Sequence, residues 1–126
     1  MRFSYILLAA MGLTAAVCTT GCLHTSAAVH DAAFSNQRLE AAIDSPVTPT
    51  ASATRQALVQ MTFVVTSYQV ADTRAQVIAR TMDDQKIEIE IQRQQAKSCR
   101  LFILVGAAGD EEQSRQILEQ IRKKLH

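Results

Sequence analysis

The chain is short of cysteine, carries no surplus of one charge and contains no apolar run long enough to span a bilayer. Three cysteines occur in 126 residues, two of them, Cys18 and Cys22, near the start. Cys99 therefore has no intramolecular partner in the downstream chain. A disulfide-stapled scaffold is excluded, and the domain must be held by its core. The 13 basic residues are balanced by 12 acidic ones. That balance gives no basic footprint with which to displace counterions from a nucleic acid, so a nucleic-acid partner is set aside. Glycine is scarce as well. Gly106 and Gly109 flank two alanines and do not make a phosphate cradle.

The first 22 residues follow the three-part layout of a signal peptide: Arg2, then the uncharged and mostly apolar Tyr5–Val17, then Thr19, Thr20 and Gly21 before Cys22. A spanning helix needs about 20 apolar residues, and this run stops short of that. Small residues before a cysteine resemble a bacterial lipobox, in which the thiol receives diacylglycerol. Cys22 is the expected lipid acceptor. Thr19 stands where leucine is commonest. Cys18 follows the bulky Val17 and fits less well. The competing reading is ordinary cleavage near Ser26-Ala27-Ala28, which would release a soluble periplasmic protein. Leu23 in place of aspartate favours the outer membrane by the usual sorting convention.

Residues 1–21 are thus expected to be a lipoprotein signal peptide and residues 22–37 a lipidated N-terminus and tether. Residues 38–126 are expected to form one small domain, large enough for its own core. Leu23–Gln37 is small, polar and aperiodic. His24 and His30 within it have no converging ligands, so no metal site is expected.

Periodicity divides the rest. Arg38–Ile43 alternates as a half-buried strand, and Asp44-Ser45-Pro46 ends it. Thr48-Pro49 reads as an N-cap followed by a first-turn proline, opening a helix to about Met61. Phe63–Tyr68 is β-branched and aromatic, hence a strand. Arg74–Met82 and Lys86–Arg93 are two more, joined by a tight turn at Asp83-Asp84-Gln85. In the second, Ile87, Ile89 and Ile91 share one face and Glu88 and Glu90 the other. Ser98–Val105 is the last strand. Asp110 then caps a closing helix, with Gln113 three residues on. Its apolar stripe is Ile117, Leu118, Ile121 and Leu125. Glu111 and Glu112 at its start, and Arg122, Lys123 and Lys124 at its end, suit the helix dipole. The order β-α-β-β-β-β-α predicts an α+β two-layer domain, an antiparallel sheet of four to five strands against two helices.

The segment Leu101–Leu118 resembles the C-terminal signature of a family of small bacterial envelope lipoproteins known only as a domain of unknown function. The matching positions are Val105-Gly106, Gly109-Asp110-Glu111 and Ser114-Arg115. The resemblance implies a lipoprotein and this fold, and no activity. Two positions depart from the pattern: Asp84, where a hairpin glycine is expected, and Thr62, where a helix-ending glycine is usual. A pattern-level similarity also runs to the helix-grip domains of BamC-like lipoproteins, which open with a strand, a proline-containing turn and a helix. Fold analogy transfers no function.

No nucleophile or acid–base pair stands out, so no catalytic residue, cofactor or enzymatic activity is expected. Glu111 and Glu112 read as helix-start acids, Glu88 and Glu90 as a solvated face. Cys99 reads as a buried thiol, or else as a reactive or intermolecular one. Arg100, Phe102 and Leu104 alternate with the core residues of their strand and form a partly apolar outer face. Either that face is a partner surface, or it is covered by the tether or by Ile78 and Met82. The expected function is a noncatalytic, membrane-anchored envelope lipoprotein with a protein-interaction or assembly role. The alternative is a small-ligand or lipid binder with a groove lined by Ile117, Ile121 and the isoleucine strand.

Overall fold

The computed structural model describes residues 32–126. Residues 1–21, expected to be a signal peptide, and Cys22, His24 and His30 lie outside the described residues. Eight elements follow in order: β1 (Ala32–Ser35), β2 (Arg38–Ile43), α1 (Val47–Gln60), β3 (Val64–Val70), β4 (Arg74–Arg80), β5 (Lys86–Gln95), β6 (Ser98–Val105) and α2 (Glu111–Leu125). The strands form one antiparallel sheet in the order β1-β2-β6-β5-β4-β3. The α+β class and the element order are those that periodicity predicts.

Register explains why the sheet has one dry face. Leu39 lies opposite Ile103, Ile103 opposite Ile89, and Ile89 opposite Val77, so four alternating strands contribute one apolar row. None of these four side chains touches water. The neighbouring row runs Ala41, Leu101, Ile91 and Ala75. Both helices cover this face. Helix α2 buries Ser114, Ile117, Leu118 and Ile121. Helix α1 buries Val47 and Leu58 but otherwise presents small residues, Thr50, Ala51, Ala53, Thr54 and Ala57. The threonine hydroxyls would be costly to bury unpaired. Thr50 donates to the Pro46 carbonyl and Thr54 to the Thr50 carbonyl, each at 2.8 Å.

Strands β3, β4 and β5 end one or two residues from the expected positions, and two larger differences stand out. Residues 32–35, read as part of the tether, form the edge strand β1, so the sheet has six strands. Ala32 faces Ala41 and Phe34 faces Leu39 across a turn at Asn36 and Gln37, whose φ values are 50° and 68°. A four-residue run with Phe34 as its one large apolar side chain is too short for alternation to register. Helix α1 starts at Val47, and its N-cap is Pro46 with no side-chain cap, so Thr48 does not cap it. Pro49 still falls in the first turn, where a missing N–H breaks no helical bond.

The end of α1 forms a Schellman motif. The Phe63 N–H donates to the Leu58 carbonyl and the Thr62 N–H to the Val59 carbonyl, each at 3.0 Å. Thr62 occupies the left-handed position, φ 67°, which suits glycine and strains a β-branched residue. Asp84 is likewise left-handed, φ 64°, in the β4–β5 turn, and accepts from Arg80.

Replacing Thr62 with glycine should therefore stabilise the fold. The left-handed strain of about 1–2 kcal/mol outweighs the extra backbone entropy of glycine, about 0.5–1 kcal/mol. Urea denaturation of Thr62→Gly should show a higher midpoint with an unchanged slope. A lower midpoint would place Thr62 outside that conformation.

Candidate functional site

The face of the sheet away from the helices is built by alternation. Every strand that sends an aliphatic side chain inward sends the next one out. Arg100, Phe102 and Leu104 all project from β6 onto this outer face, with Arg100 exposed and the other two half-buried. Phe102 lies between Glu40 of β2 and Glu90 of β5, and Leu104 lies beside Glu88. The structure thus brings the three together, under charged neighbours.

Those neighbours are ordered. Arg100 reaches Glu40 at 2.7 Å, Arg74 reaches Glu90 at 2.7 Å, and Lys86 reaches Glu88 at 3.5 Å. The Arg38 guanidinium sits 5.0 Å from the Phe102 ring centroid, a cation–π contact that roofs the ring. Gln92 donates to Glu90 at 3.0 Å and Gln76 to Glu88 at 3.4 Å. The hydrogen bond from Gln92, then that from Arg74, holds the Glu90 carboxyl below its ordinary pKa. Glu90 thus stays charged, and its contribution to stability is present at neutral pH and lost as acid titrates it. Ile78 shares the face, half-buried opposite Glu88. Met82 lies beyond β4 and is 84% exposed, so it covers nothing. Glu88 and Glu90, read from sequence as a solvated face, are partly buried ion-pair partners.

Exposed apolar side chains collect elsewhere, at the other margin of the sheet. Val59, Val64, Tyr68 and Val70 lie on or beside β3. A bulge between Val65 and Ser67 turns Tyr68 toward the helix side, opposite Val77 and against Arg55, 4.9 Å from its ring centroid. This margin escaped the sequence reading. The absence of any charged residue from Val64 to Val70 was the available signal, but edge position depends on strand order.

The C-terminal signature has architectural work at each position. Gly106 and Gly109 adopt φ of 70° and 81°. A Cβ on Gly109 would lie 2.9 Å from the Gln37 Cα, so glycine lets the β6–α2 loop close on the β1–β2 turn. The Asp110 carboxylate accepts from the Gln113 N–H at 3.0 Å, Ser114 donates to the Asp110 carbonyl at 2.7 Å, and Arg115 pairs with Glu111 at 2.8 Å.

The residues required for an internal ligand groove are Ile87, Ile89, Ile91, Ile117 and Ile121. All have 0% exposure, so water reaches none of them. Among the described residues no three metal-ligating side chains converge, and no helix is long and apolar enough to cross a membrane. Cys99 is fully buried, with its thiol 3.4 Å from the Thr50 hydroxyl. Burial raises its pKa above the ordinary value, with Thr50 opposing in part.

The thiol therefore stays neutral in the fold while the unfolded chain ionises at the ordinary value. Stability from this site is complete below the ordinary pKa and falls as pH rises beyond it. Alkylation of Cys99 should be slower in the folded chain than in the denatured one by more than about a hundredfold. Peptide mass spectrometry would read the rate. Equal rates would put Cys99 at the surface.

No curated protein matches the chain. A family model described as protein of unknown function DUF3568 matches residues 4–124, and the chain belongs to that family.

Proposed function

We propose that the chain is a noncatalytic lipoprotein of the bacterial cell envelope, anchored through an acylated Cys22, with the folded domain serving as a protein-interaction or assembly module. The observation that carries this reading is the order of residues at the start: Arg2, the apolar Tyr5–Val17, then Thr19-Thr20-Gly21-Cys22. The family match begins at residue 4 and takes in Tyr5–Cys22 together with the domain, which supports treating them as one unit. Acyl chains anchor because each buried methylene contributes about 0.8 kcal/mol, and several chains together hold stably. Leu23 after the cysteine favours the outer membrane.

The outer sheet face is the proposed contact surface. Phe102 and Leu104 supply apolar area at its centre, and ordered charges surround them. That arrangement of apolar centre and polar rim is typical of protein interfaces. A partner that displaced Arg38 from Phe102 would gain the ring surface without unfolding anything. An internal ligand would have to open the packed isoleucine layer.

One preparation tests both parts. The chain extracted from membranes should have the mass of a polypeptide beginning at Cys22 and carrying acyl chains, whereas Cys22→Ala should lack that mass. A photo-crosslinking side chain at Leu104 should trap one defined envelope protein in intact cells. An unacylated native chain contradicts the anchor. An acylated chain that forms no adduct contradicts the contact surface.

A further inference from the structure

The fold fixes which end of the domain faces the anchor. Strand β1 is antiparallel to β2 and begins at Ala32 opposite Ala41, close to the C-terminal end of β2. The described chain therefore begins at that end. Ile43 of β2 lies opposite Cys99, next to the β5–β6 hairpin, in which Gln95 faces Ser98. Helix α2 finishes here too, because Arg122, Leu125 and His126 line a surface depression with Ala42–Ser45.

This end is also the basic one. Arg93, Lys97 and Arg100 come from the hairpin and its first residues, and Arg122, Lys123 and Lys124 from the last turn of α2. With Arg74 they make seven basic side chains against Glu40, Asp44, Asp72, Glu90 and Glu119 at the same end, a surplus of two. The opposite end reverses the balance. Asp83, Asp84, Glu88, Asp110, Glu111 and Glu112 lie there against Arg38, Arg80, Lys86 and Arg115, an acidic surplus of two.

We propose that this basic end docks on the anionic surface of the bilayer that holds the anchor. The inference rests on the reading of Cys22 as acylated. Cys22 precedes Ala32 by ten residues, a stretch whose greatest reach is about 35 Å. An anchored domain is thus kept at high effective concentration against the headgroups, and no separate encounter is needed. Anionic lipid attracts basic side chains only within about a Debye length, about 8 Å at physiological salt. A domain with one basic and one acidic end gains by turning the basic end inward. The acidic end and the length of the outer face then point away from the membrane, toward a partner.

The test uses the acylated chain extracted from membranes and inserted into vesicles of phosphatidylcholine, with or without phosphatidylglycerol. Amine labelling is read lysine by lysine by mass spectrometry. Lys97, Lys123 and Lys124 should label about threefold or more slowly when phosphatidylglycerol is present, and salt near 1 M should remove the difference. Lys86, at the far end of β5 beside Arg80, should label equally in both. Charge reversal in Lys97→Glu with Lys124→Glu should abolish the slowing at Lys123 while acylation persists. Equal rates in both vesicle types, or slowing at Lys86 as well, overturn the docking and leave the anchor standing. Slowing seen in native membranes but not in these vesicles assigns the basic end to a protein and also overturns it. A Cys22 peptide without acyl mass overturns both readings.

Discussion

Everything in this domain depends on covering the apolar face of a six-stranded sheet. Rows such as Leu39–Ile103–Ile89–Val77 arise because each strand alternates and because the register aligns the apolar members. A shift of one residue in any strand would turn its whole apolar set toward water. The two helices complete the layer by different means. Helix α2 brings the long side chains Ile117, Leu118 and Ile121, whereas α1 adds Val47 and Leu58 to a face otherwise made of alanines and self-satisfied threonines. With no disulfide among the described residues, this layer is the source of stability.

Filling the layer has a consequence for function. Ile87, Ile89, Ile91, Ile117 and Ile121 have no exposed surface, so a ligand entering between α2 and the sheet would have to displace them. The outer face is ordered by ion pairs and by the Arg38–Phe102 contact. Individually, exposed pairs of this kind contribute little, about 0–1 kcal/mol. Their collective effect is to keep the apolar members Phe102, Leu104 and Ile78 from forming a continuous sticky patch. The conspicuous C-terminal signature belongs to the frame. Gly109 lets two loops meet, and Asp110 caps the helix that closes the core.

Much of this was legible because most elements obey one clear period. The alternation of Ile87, Ile89 and Ile91 against Glu88 and Glu90 assigns β5 to a half-buried strand, and the spacing of Ile117, Leu118 and Ile121 assigns α2. The left-handed positions Thr62 and Asp84 were legible as places where glycine would be usual. Strand β1 was not legible, because Ala32–Ser35 is short and mostly small. Nor was the edge position of β3, since the insertion of β6 between β2 and β5 is a long-range choice that no local pattern encodes. The outer face was half legible. Alternation places Phe102 and Leu104 there, but the roof over Phe102 comes from Arg38, far away in sequence.

The central claim is that one closed apolar layer, centred on β5 and β6, holds the domain together while its two edges contribute little. Native-state hydrogen exchange tests this residue by residue. Amides of Ile87–Ile91 and Leu101–Val105 should exchange only through global unfolding, with those of Ala32–Ser35 and Val64–Val70 opening at lower free energy. Slow exchange confined to the edges, or fast exchange within the isoleucine strand, would contradict the account.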